Sequence, residues 1–325
     1  MANPLRKNFF KYGNKLKKGK PWPELCPGDI VDIVAPSSDC DKKALLKVRN
    51  YVSEMGLVPR IRPGLFGKSL LCANSSKKRF DHFKKALFAS DSKAVWTLRG
   101  GYGAAHLLPY LNKISPPKKT KLFIGYSDLT HLHSFLNYRW GWSTLHATML
   151  EELATGAGTI QEQKDLDQII FGQKTHILFK KLKPLNTPAR RSKKIISTIG
   201  GGNLTILLAG MGTPWQVSGK GQIIVVEDIG ERDYRVDRML TQLNQAQFFK
   251  GVRALIFGDF VRSEELDSYS LAKDVQREFA KRAPFPVLSN FPCGHSIRQR
   301  PVPFLTRAEL QLGTKPEIKI QTGVC

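Results

Sequence analysis

The sequence predicts an α/β fold in two parts, and three observations lead to this prediction. Short apolar runs first alternate with segments of helical periodicity, as in a mostly parallel sheet with helices between its strands. This alternation is lost in a basic, proline-containing stretch, and strand and helix patterns then resume. We therefore expect four regions: a basic arm at 1–20, an α/β domain with a mostly parallel sheet at 21–165, a linker at 166–195 and a second domain at 196–325.

The first domain is predicted from three apolar runs. Gly28–Pro36 is typical of a buried first strand that ends in a loop, and helical periodicity follows at Lys42–Met55. Ala94–Leu98 is a second short run and Leu122–Tyr126 a third. A helical pattern at Leu129–Tyr138 follows the third run directly. Strands that alternate with helices in this way favour parallel pairing.

The second domain is predicted from a strand at Ile223–Glu227 and a helix at Tyr234–Phe249. The helix has apolar residues at spacings of three and four, which places them on one face. Another strand is expected at Ala254–Phe257, and Leu310–Thr322 is typical of a closing strand pair.

Composition excludes several classes of protein. The 325 residues are 41% hydrophobic, enough for one or two sizeable cores, so global disorder is excluded. No apolar run approaches the ~18–20 residues that span a bilayer, so we expect no transmembrane segment. The five cysteines are odd in number, widely spaced and without a C-x-x-C pair. We therefore expect neither a disulfide framework nor a zinc ribbon, and the pattern fits a reducing compartment.

The charge is unusual, because 51 Lys and Arg against 27 Asp and Glu give a net charge of +24. The excess lies in the basic arm, in Pro116–Lys121 and in Lys174–Lys194. No RNA-recognition motif, zinc-finger spacing or basic region joined to heptads accompanies it. We interpret the charge as a general attraction for anions and expect no specific nucleic-acid partner.

The strongest local signal is the segment Phe123–Leu129, in which a buried strand, one small polar residue and a helix follow without a gap. This placement is used by nucleophilic serines, so Ser127 is a candidate nucleophile. The alternative is that Ser127 only caps the helix. The residue two positions later is Leu129 and not glycine, so the turn is not that of a standard α/β-hydrolase. The glycine-rich loop Arg99–Gly103 also follows a strand and could bring a backbone N–H group beside the serine.

A serine nucleophile needs a base and an acceptor that orients the base. Of the seven histidines, His295 lies in a turn-rich loop after a strand-like segment, where functional residues are common. Glu227 ends an apolar strand, where a buried carboxylate requires a partner. The alternative for Glu227 is an ordinary ion pair with Arg232 or Arg235.

Six stretches together resemble the LD-carboxypeptidase family of serine peptidases, which includes the microcin-immunity peptidases. The resemblance covers about residues 22–312, and it lies in their order and combination. The stretches are GDIVDIVAPSS at 28–38, WTLRGGYGAAHLLPYL at 96–111, FIGYSDLTHLH at 123–133, IGGGNLTIL at 199–207, IIVVEDIGERDYRVDRMLTQL at 223–243 and FPCGHSIRQRPVPF at 291–304.

The resemblance implies a Rossmann-like N-terminal domain, a smaller β-rich C-terminal domain and an active site at their interface. It implies that Ser127, Glu227 and His295 form a catalytic triad. The backbone N–H groups of Asp128 and Gly101 would form the oxyanion hole, and Gly100 and Gly101 would approach the substrate. It further implies a cytoplasmic homodimer that uses no metal or cofactor.

The activity implied is a serine carboxypeptidase of the muramoyltetrapeptide type, which removes the C-terminal D-alanine from L,D-tetrapeptides of peptidoglycan during recycling. A muropeptide would then be the partner molecule. One alternative is a microcin-immunity-type peptidase that cleaves a peptidyl-nucleotide, and a more distant one is a non-catalytic anion-binding protein.

The chain departs from the family at one place near the expected site. The family usually reads His-Gly-Pro-Met where this chain has His146-Ala147-Thr148-Met149. Because glycine and proline would shape a turn there, the departure bears on the substrate pocket more than on the triad.

Overall fold

The computed structural model describes residues 19–263 and 270–324. The predicted basic arm therefore lies outside the described residues, except for its last two positions. None of the helices in the described ranges combines the length and the apolar composition needed to cross a bilayer. The chain forms two compact units, which are taken in turn: a first unit of residues 19–177, 297–304 and 321–324, and a second unit of residues 178–296 and 305–320.

The helices and strands of the described chain up to residue 170 all belong to the first unit. They are β1 Ile30–Val34, α1 Lys42–Glu54, β2 Val58–Ile61, α2 Ser76–Phe88, β3 Ser92–Thr97, α3 Leu108–Leu111, β4 Leu122–Gly125, α4 Thr130–Phe135, β5 Thr144–His146, α5 Leu150–Ala154 and α6 Ile160–Ile170.

The elements of the remaining described chain follow. They are β6 His176–Phe179, β7 Lys183–Pro184, α7 Thr187–Arg190, β8 Lys194–Asn203, α8 Leu204–Ala209, β9 Gln222–Ile229, α9 Asp233–Gln245, β10 Ala254–Val261, α10 Ala272–Arg282, β11 Val287–Ser289, β12 Val302–Phe304, β13 Arg307–Gln311 and β14 Glu317–Gln321.

The sheet of the first unit has the strand order β12-β5-β4-β3-β1-β2. Its five sequential strands pair in parallel, and only β12 pairs antiparallel, at the edge beside β5. The side chains of β4 are fully buried, as expected for a strand covered on both faces. The predicted parallel α/β domain is confirmed, and all three predicted strands are present in it.

The helical pattern predicted at Leu129–Tyr138 is more irregular than expected. A short 3₁₀ turn at Ser127–Leu129 leads into α4, and a π-helical turn at Leu136–Trp140 follows. The π-helical turn ends at Gly141, whose φ is +68°. Apolar spacing does not reveal these irregular turns, because the 3₁₀ turn has only three residues and the π-helical turn only five.

The second unit contains a mixed sheet of eight strands in the order β6-β14-β13-β8-β9-β10-β11-β7. Strands β8 to β11 pair in parallel, while β13, β14 and β7 add antiparallel pairs. The face of α9 predicted from its apolar spacing is buried. The predicted closing strand pair is confirmed as β13 and β14. The mixed α/β class with two sheets thus agrees with the predicted fold class.

The segment predicted as a linker at 166–195 contains the end of α6, both edge strands β6 and β7, and α7. The hydrogen bonds of Asn186 explain in part why this segment has a defined structure. Its side chain accepts from the Ala189 N–H at the start of α7 and from the Val287 N–H, and it donates to the Phe285 carbonyl at 2.9 Å. A single buried amide therefore joins the segment to the start of β11.

A buried polar cluster in the first unit joins α6 to the loop after β5. Glu162, in the first turn of α6, accepts a hydrogen bond from the Thr148 hydroxyl. Gln299 donates to the same hydroxyl oxygen at 2.9 Å, and the Trp96 indole donates to the Thr148 carbonyl at 3.2 Å. Burial, with little solvent left around the carboxyl, raises the pKa of Glu162 from 4.5 to about 7.

Replacing Glu162 should change how stability depends on pH. A carboxyl whose pKa is raised on folding destabilises the native state above that pKa, and this effect disappears as pH falls toward the ordinary value of 4.5. Wild type should therefore gain about 2 kcal/mol in free energy of unfolding from pH 8 to pH 5.5 through this group. Glu162→Gln should lose that gain in calorimetric or denaturant unfolding.

The matched control is Glu278→Gln, because the Glu278 side chain is 60% exposed on α10. It should keep the pH dependence of wild type. Equal pH dependence in Glu162→Gln and wild type would contradict the raised pKa.

The register of the strand that carries Glu227 depends on a glycine in the neighbouring strand. Gly201 of β8 lies opposite Val225 of β9, and its φ is +133°. A Cβ atom there would lie 1.8 Å from the Val225 carbonyl oxygen, so no other residue fits without moving a strand.

We expect Gly201→Ala to prevent formation of a folded protein. Gly212→Ala is the matched control, since Gly212 also has a positive φ of +78° but no atom within 4 Å of an added Cβ. The control should cost only about 1 kcal/mol, the backbone strain alone. Circular dichroism and thermal unfolding measure both variants. Equal melting temperatures would show that β8 and β9 tolerate the extra atom.

Candidate active site

Ser127 follows β4 directly and has a left-handed backbone conformation, with φ of +63°. This conformation is uncommon outside glycine and costs of the order of 1–3 kcal/mol, so the surrounding structure must hold it. The alternative that Ser127 is a helix cap is wrong. The capping position of the 3₁₀ turn is Tyr126, and no side chain caps that turn or α4. Ser127 is half-buried, and its strained strand-to-helix turn is the placement expected for a candidate nucleophile.

The glycine-rich loop after β3 lies against this serine, as the sequence predicted. A Cβ atom at residue 100 would lie 3.1 Å from the Ser127 Cβ and 3.3 Å from its Oγ. It would also lie 3.3 Å from the terminal methyl of Met149. Gly101 is exposed and has a φ of +94°. The backbone of the loop can therefore approach a group bound at Ser127.

Asp128 is buried beside the serine, and its side chain has partners that sequence reasoning missed. Its Oδ2 accepts a hydrogen bond from the Ser37 hydroxyl at 2.5 Å and from the Ala104 N–H at 2.8 Å. The sequence assigned a role only to the backbone of Asp128. A small polar residue after β1, at the carboxyl edge of the same sheet, was the available signal for Ser37.

Glu227 and His295 form a contact within the second unit. The Glu227 Oε2 lies 2.8 Å from the His295 Nδ1. Glu227 is fully buried in β9, and the side chain of His295 is 12% exposed. A neutral imidazole that donates from Nδ1 carries its lone pair on Nε2, as a general base requires. Among the described residues, nothing hydrogen-bonds to the Glu227 Oε1. The proposed ion pair with Arg235 is not observed, since that arginine contacts Glu231.

The loop that carries His295 is packed closely on the ends of β9 and β10. Gly294 has a φ of +129°, and a Cβ atom there would lie 2.9 Å from the Glu227 Oε2. The Asp259 N–H donates to the Cys293 carbonyl at 2.8 Å, and the Ser296 hydroxyl donates to the Asp259 carboxylate. These contacts on both sides of His295 fix its backbone.

Asp228, the residue after Glu227, is a buried acid with an altered pKa. Burial, followed by the negative charge of Glu227, raises its pKa from 3.8 to about 6. It accepts from the backbone N–H of Thr205 at 2.9 Å and from the Asn203 side chain at 3.1 Å. Asp228 therefore anchors the start of α8 beside the Glu227 strand. Its neighbours on the sequence gave no signal for this role.

The structure thus brings Ser127, Asp128 and Gly100 together in the first unit, and Glu227 and His295 together in the second. The first group offers a hydroxyl beside backbone N–H groups, and the second offers a base with an orienting carboxylate. Over residues 19–263 and 270–324, His, Cys, Asp and Glu side chains form no group of three that could hold a metal ion.

Known proteins that are similar in sequence to this chain are named as carboxypeptidases. The family models for the N-terminal and C-terminal domains of LD-carboxypeptidases match residues 31–147 and 197–310. A putative carboxypeptidase of Rickettsia conorii is 36% identical over 296 residues, covering 90% of this chain and 91% of the relative. A probable murein peptide carboxypeptidase of Bacillus subtilis is 28% identical, covering 92% and 94%.

Solved structures are similar over nearly the whole chain. The muramoyltetrapeptide carboxypeptidase of Oxalobacter formigenes superposes with a TM-score of 0.74 at 25% identity, covering 90% of this chain and 98% of that one. The microcin C7 self-immunity protein MccF has the same fold, with a TM-score of 0.80 at 19% identity and coverage of 94% and 99%. The two domain models and the Rickettsia relative together show that this chain belongs to the LD-carboxypeptidase family.

Proposed function

We propose that the protein is a serine-type LD-carboxypeptidase that removes the C-terminal D-alanine from L,D-tetrapeptides of peptidoglycan, in the cytoplasm during recycling. The observation that carries the proposal is the 2.8 Å contact between the buried Glu227 and the His295 Nδ1. When a buried carboxylate accepts a hydrogen bond from one imidazole nitrogen, the other nitrogen remains able to accept a proton. Relatives named for murein peptides and muramoyltetrapeptide support the substrate.

In the proposed mechanism, the two units supply complementary groups. His295 Nε2 takes the Ser127 hydroxyl proton as the oxygen attacks the scissile carbonyl carbon. Glu227 stabilises the imidazolium that forms. The backbone N–H groups of Asp128 and Gly101 donate to the oxyanion, each worth about 2.7–4 kcal/mol in well-studied cases.

Collapse of the tetrahedral intermediate breaks the peptide bond, and the imidazolium of His295 gives its proton to the departing D-alanine amine. The acyl group remains on the Ser127 oxygen. A water molecule, deprotonated by His295, then attacks this ester, and the proton returns to the serine oxygen. The products are D-alanine and the shortened peptide, and the enzyme is regenerated.

Ser127→Ala should reduce release of D-alanine by about 10³-fold or more, because the nucleophile is lost. The measurement is incubation with an L,D-tetrapeptide and mass spectrometry of the products. Ser197→Ala is the matched control: Ser197 is half-buried in β8, where its hydroxyl donates to the Gly221 carbonyl. The control should retain turnover. Near-normal turnover by Ser127→Ala would refute the triad.

A peptidyl-nucleotide of the microcin type is the second candidate substrate. The segment His146–Met149 departs from the family pattern, and its last residue places a methyl group near Gly100. This departure close to Ser127 is the reason to test the second substrate. The same assay with a peptidyl-nucleotide decides between the substrates by the ratio of kcat/KM. A higher value for the peptidyl-nucleotide would overturn the muropeptide assignment while leaving the serine mechanism intact.

The net charge of +24 predicts that salt slows the reaction. A tetrapeptide substrate is anionic, so its encounter with the protein is favoured at low ionic strength and screened at high. We expect kcat/KM to fall by about 5-fold from 10 to 300 mM NaCl, with a smaller change in kcat. The matched substrate is the same tetrapeptide with a carboxylate other than the C-terminal one amidated, and its kcat/KM should fall less. Equal salt dependence of both substrates would contradict electrostatic attraction.

A further inference from the structure

We infer that the Asp128 carboxylate is a positioning residue for the proposed oxyanion hole, because it holds the glycine loop 100–103 against Ser127. The inference deepens the proposed function and rests on it. It assigns the side chain of Asp128 a role separate from that of its backbone N–H group. All the groups concerned lie in the first unit.

One oxygen of this carboxylate joins three loops. The Asp128 Oδ2 accepts from the Ser37 hydroxyl after β1 and from the Ala104 N–H after β3, while Asp128 itself follows β4. These strands are neighbours in the sheet, in the order β4-β3-β1. Asp128 is 3% exposed and Ser37 is fully buried, so neither hydrogen bond competes with bulk water.

A buried arginine completes the arrangement. The Arg79 guanidinium donates to the Gly103 carbonyl at 2.7 Å, and Asp128 accepts from the Ala104 N–H. These two groups belong to the same peptide bond, which is therefore held at one end by a cation and at the other by an anion. Arg79 also donates to the Pro36 carbonyl, next to Ser37. The same two side chains thus fix the loops after β1 and β3.

The glycine loop needs such anchors because its own conformation is weakly restricted. Gly101 and Gly103 have φ values of +94° and +118°, which glycine adopts but does not prefer over others. Two further contacts come from Ser38, whose N–H donates to the Gly100 carbonyl and whose hydroxyl accepts from the Tyr102 N–H, both at 3.1 Å. The Gly101 N–H group belongs to the peptide bond whose carbonyl Ser38 holds, and Ser38 directly follows Ser37, a partner of Asp128.

Precise placement matters for an oxyanion donor. A donor stabilises the transition state only when it is held at hydrogen-bond distance from the developing charge, and a displacement of about 1 Å can cost 10²-fold in rate. Loss of the Asp128 carboxylate would free the Ala104 end of the loop and also the Ser37 side chain. Because Ser37 precedes the Ser38 that holds the Gly101 peptide, the Gly101 N–H would lose precise placement from both sides. Substrate binding does not depend on this donor in the same way, so kcat should change more than KM.

The test compares Asp128→Ala with Asp128→Asn. The alanine variant loses both hydrogen bonds, and we expect kcat per active site to fall about 10²-fold while KM changes less than about 3-fold. The asparagine variant keeps an oxygen that can accept from both donors, so its kcat should return to within about 5-fold of wild type. Active sites are counted by titration with a serine-directed reagent, which separates lost turnover from lost folding.

Asn137→Ala is the control for a merely structural effect. Asn137 is buried in the first unit and donates to the Trp142 carbonyl at 2.7 Å, away from the glycine loop. It should lower the melting temperature but leave kcat per active site unchanged. Ser37→Ala serves if Asp128→Ala does not fold, because it removes one of the two donors, and its kcat should fall about 5-fold.

The inference is overturned if Asp128→Ala keeps the kcat of wild type per titrated site, if Asp128→Asn is as slow as Asp128→Ala, or if Ser37→Ala turns over at the wild-type rate. These results leave the proposed function standing when wild type releases D-alanine. A wild-type protein that releases none removes the basis of both proposals.

Discussion

Close approach of the main chain to the candidate side chains is a constraint that recurs in each of the two units. At Gly100 the backbone lies against the Ser127 side chain, and at Gly294 it lies against the Glu227 carboxylate. The shortest distance from an added Cβ atom to those side chains would be 3.1 Å at Gly100 and 2.9 Å at Gly294. The two contacts lie in different units and serve different residues, yet the physical requirement is the same. The absence of a side chain at Gly100 lets backbone N–H groups lie close to Ser127. The absence of one at Gly294 lets the His295 ring lie close to Glu227.

The buried charge of Glu227 imposes the second constraint. A carboxylate removed from water needs a partner, and here the partner is one imidazole. The charge also acts on its neighbours, since it contributes to the raised pKa of Asp228. The sequence places two acids in succession at the end of an apolar strand. The structure separates their roles, because alternate side chains of β9 point to opposite faces. One faces His295 and the other anchors α8.

The sequence predicted the parts of the fold whose signals are local. Apolar runs identified β1, β3 and β4, and one-sided spacing identified α9. It did not identify β5 or β12, because strands of three residues carry no periodicity and depend on pairing with strands distant in the sequence, β5 with β4 and β12 with β5. The strands and helix within 166–195 were not predicted either, because lysine and arginine at their exposed positions give the composition of a linker.

The candidate site residues likewise fall into those with local sequence signals and those that only the fold reveals. Ser127, Glu227 and His295 could be proposed from strand ends, loops and a family resemblance, which are properties of the chain itself. The hydrogen bonds of Asp128 with Ser37 and Ala104 could not, since they join residues 91 and 24 positions apart. Such contacts follow from the order of strands in the sheet. Once β4, β3 and β1 are neighbours, the loops after them must meet at one edge.

The departure from the family pattern at His146–Met149 shows how one constraint can replace another. A proline fixes its own φ and removes a donor, so it shapes a turn without help. Thr148 lacks that restriction, and its hydroxyl is instead held between Glu162 and Gln299. The loop still brings the Met149 methyl to Gly100. The two ways of holding the loop differ in their response to pH. A proline ring is insensitive to pH, whereas the hydrogen bond from Thr148 to the Glu162 carboxyl, whose pKa is about 7, is sensitive to it.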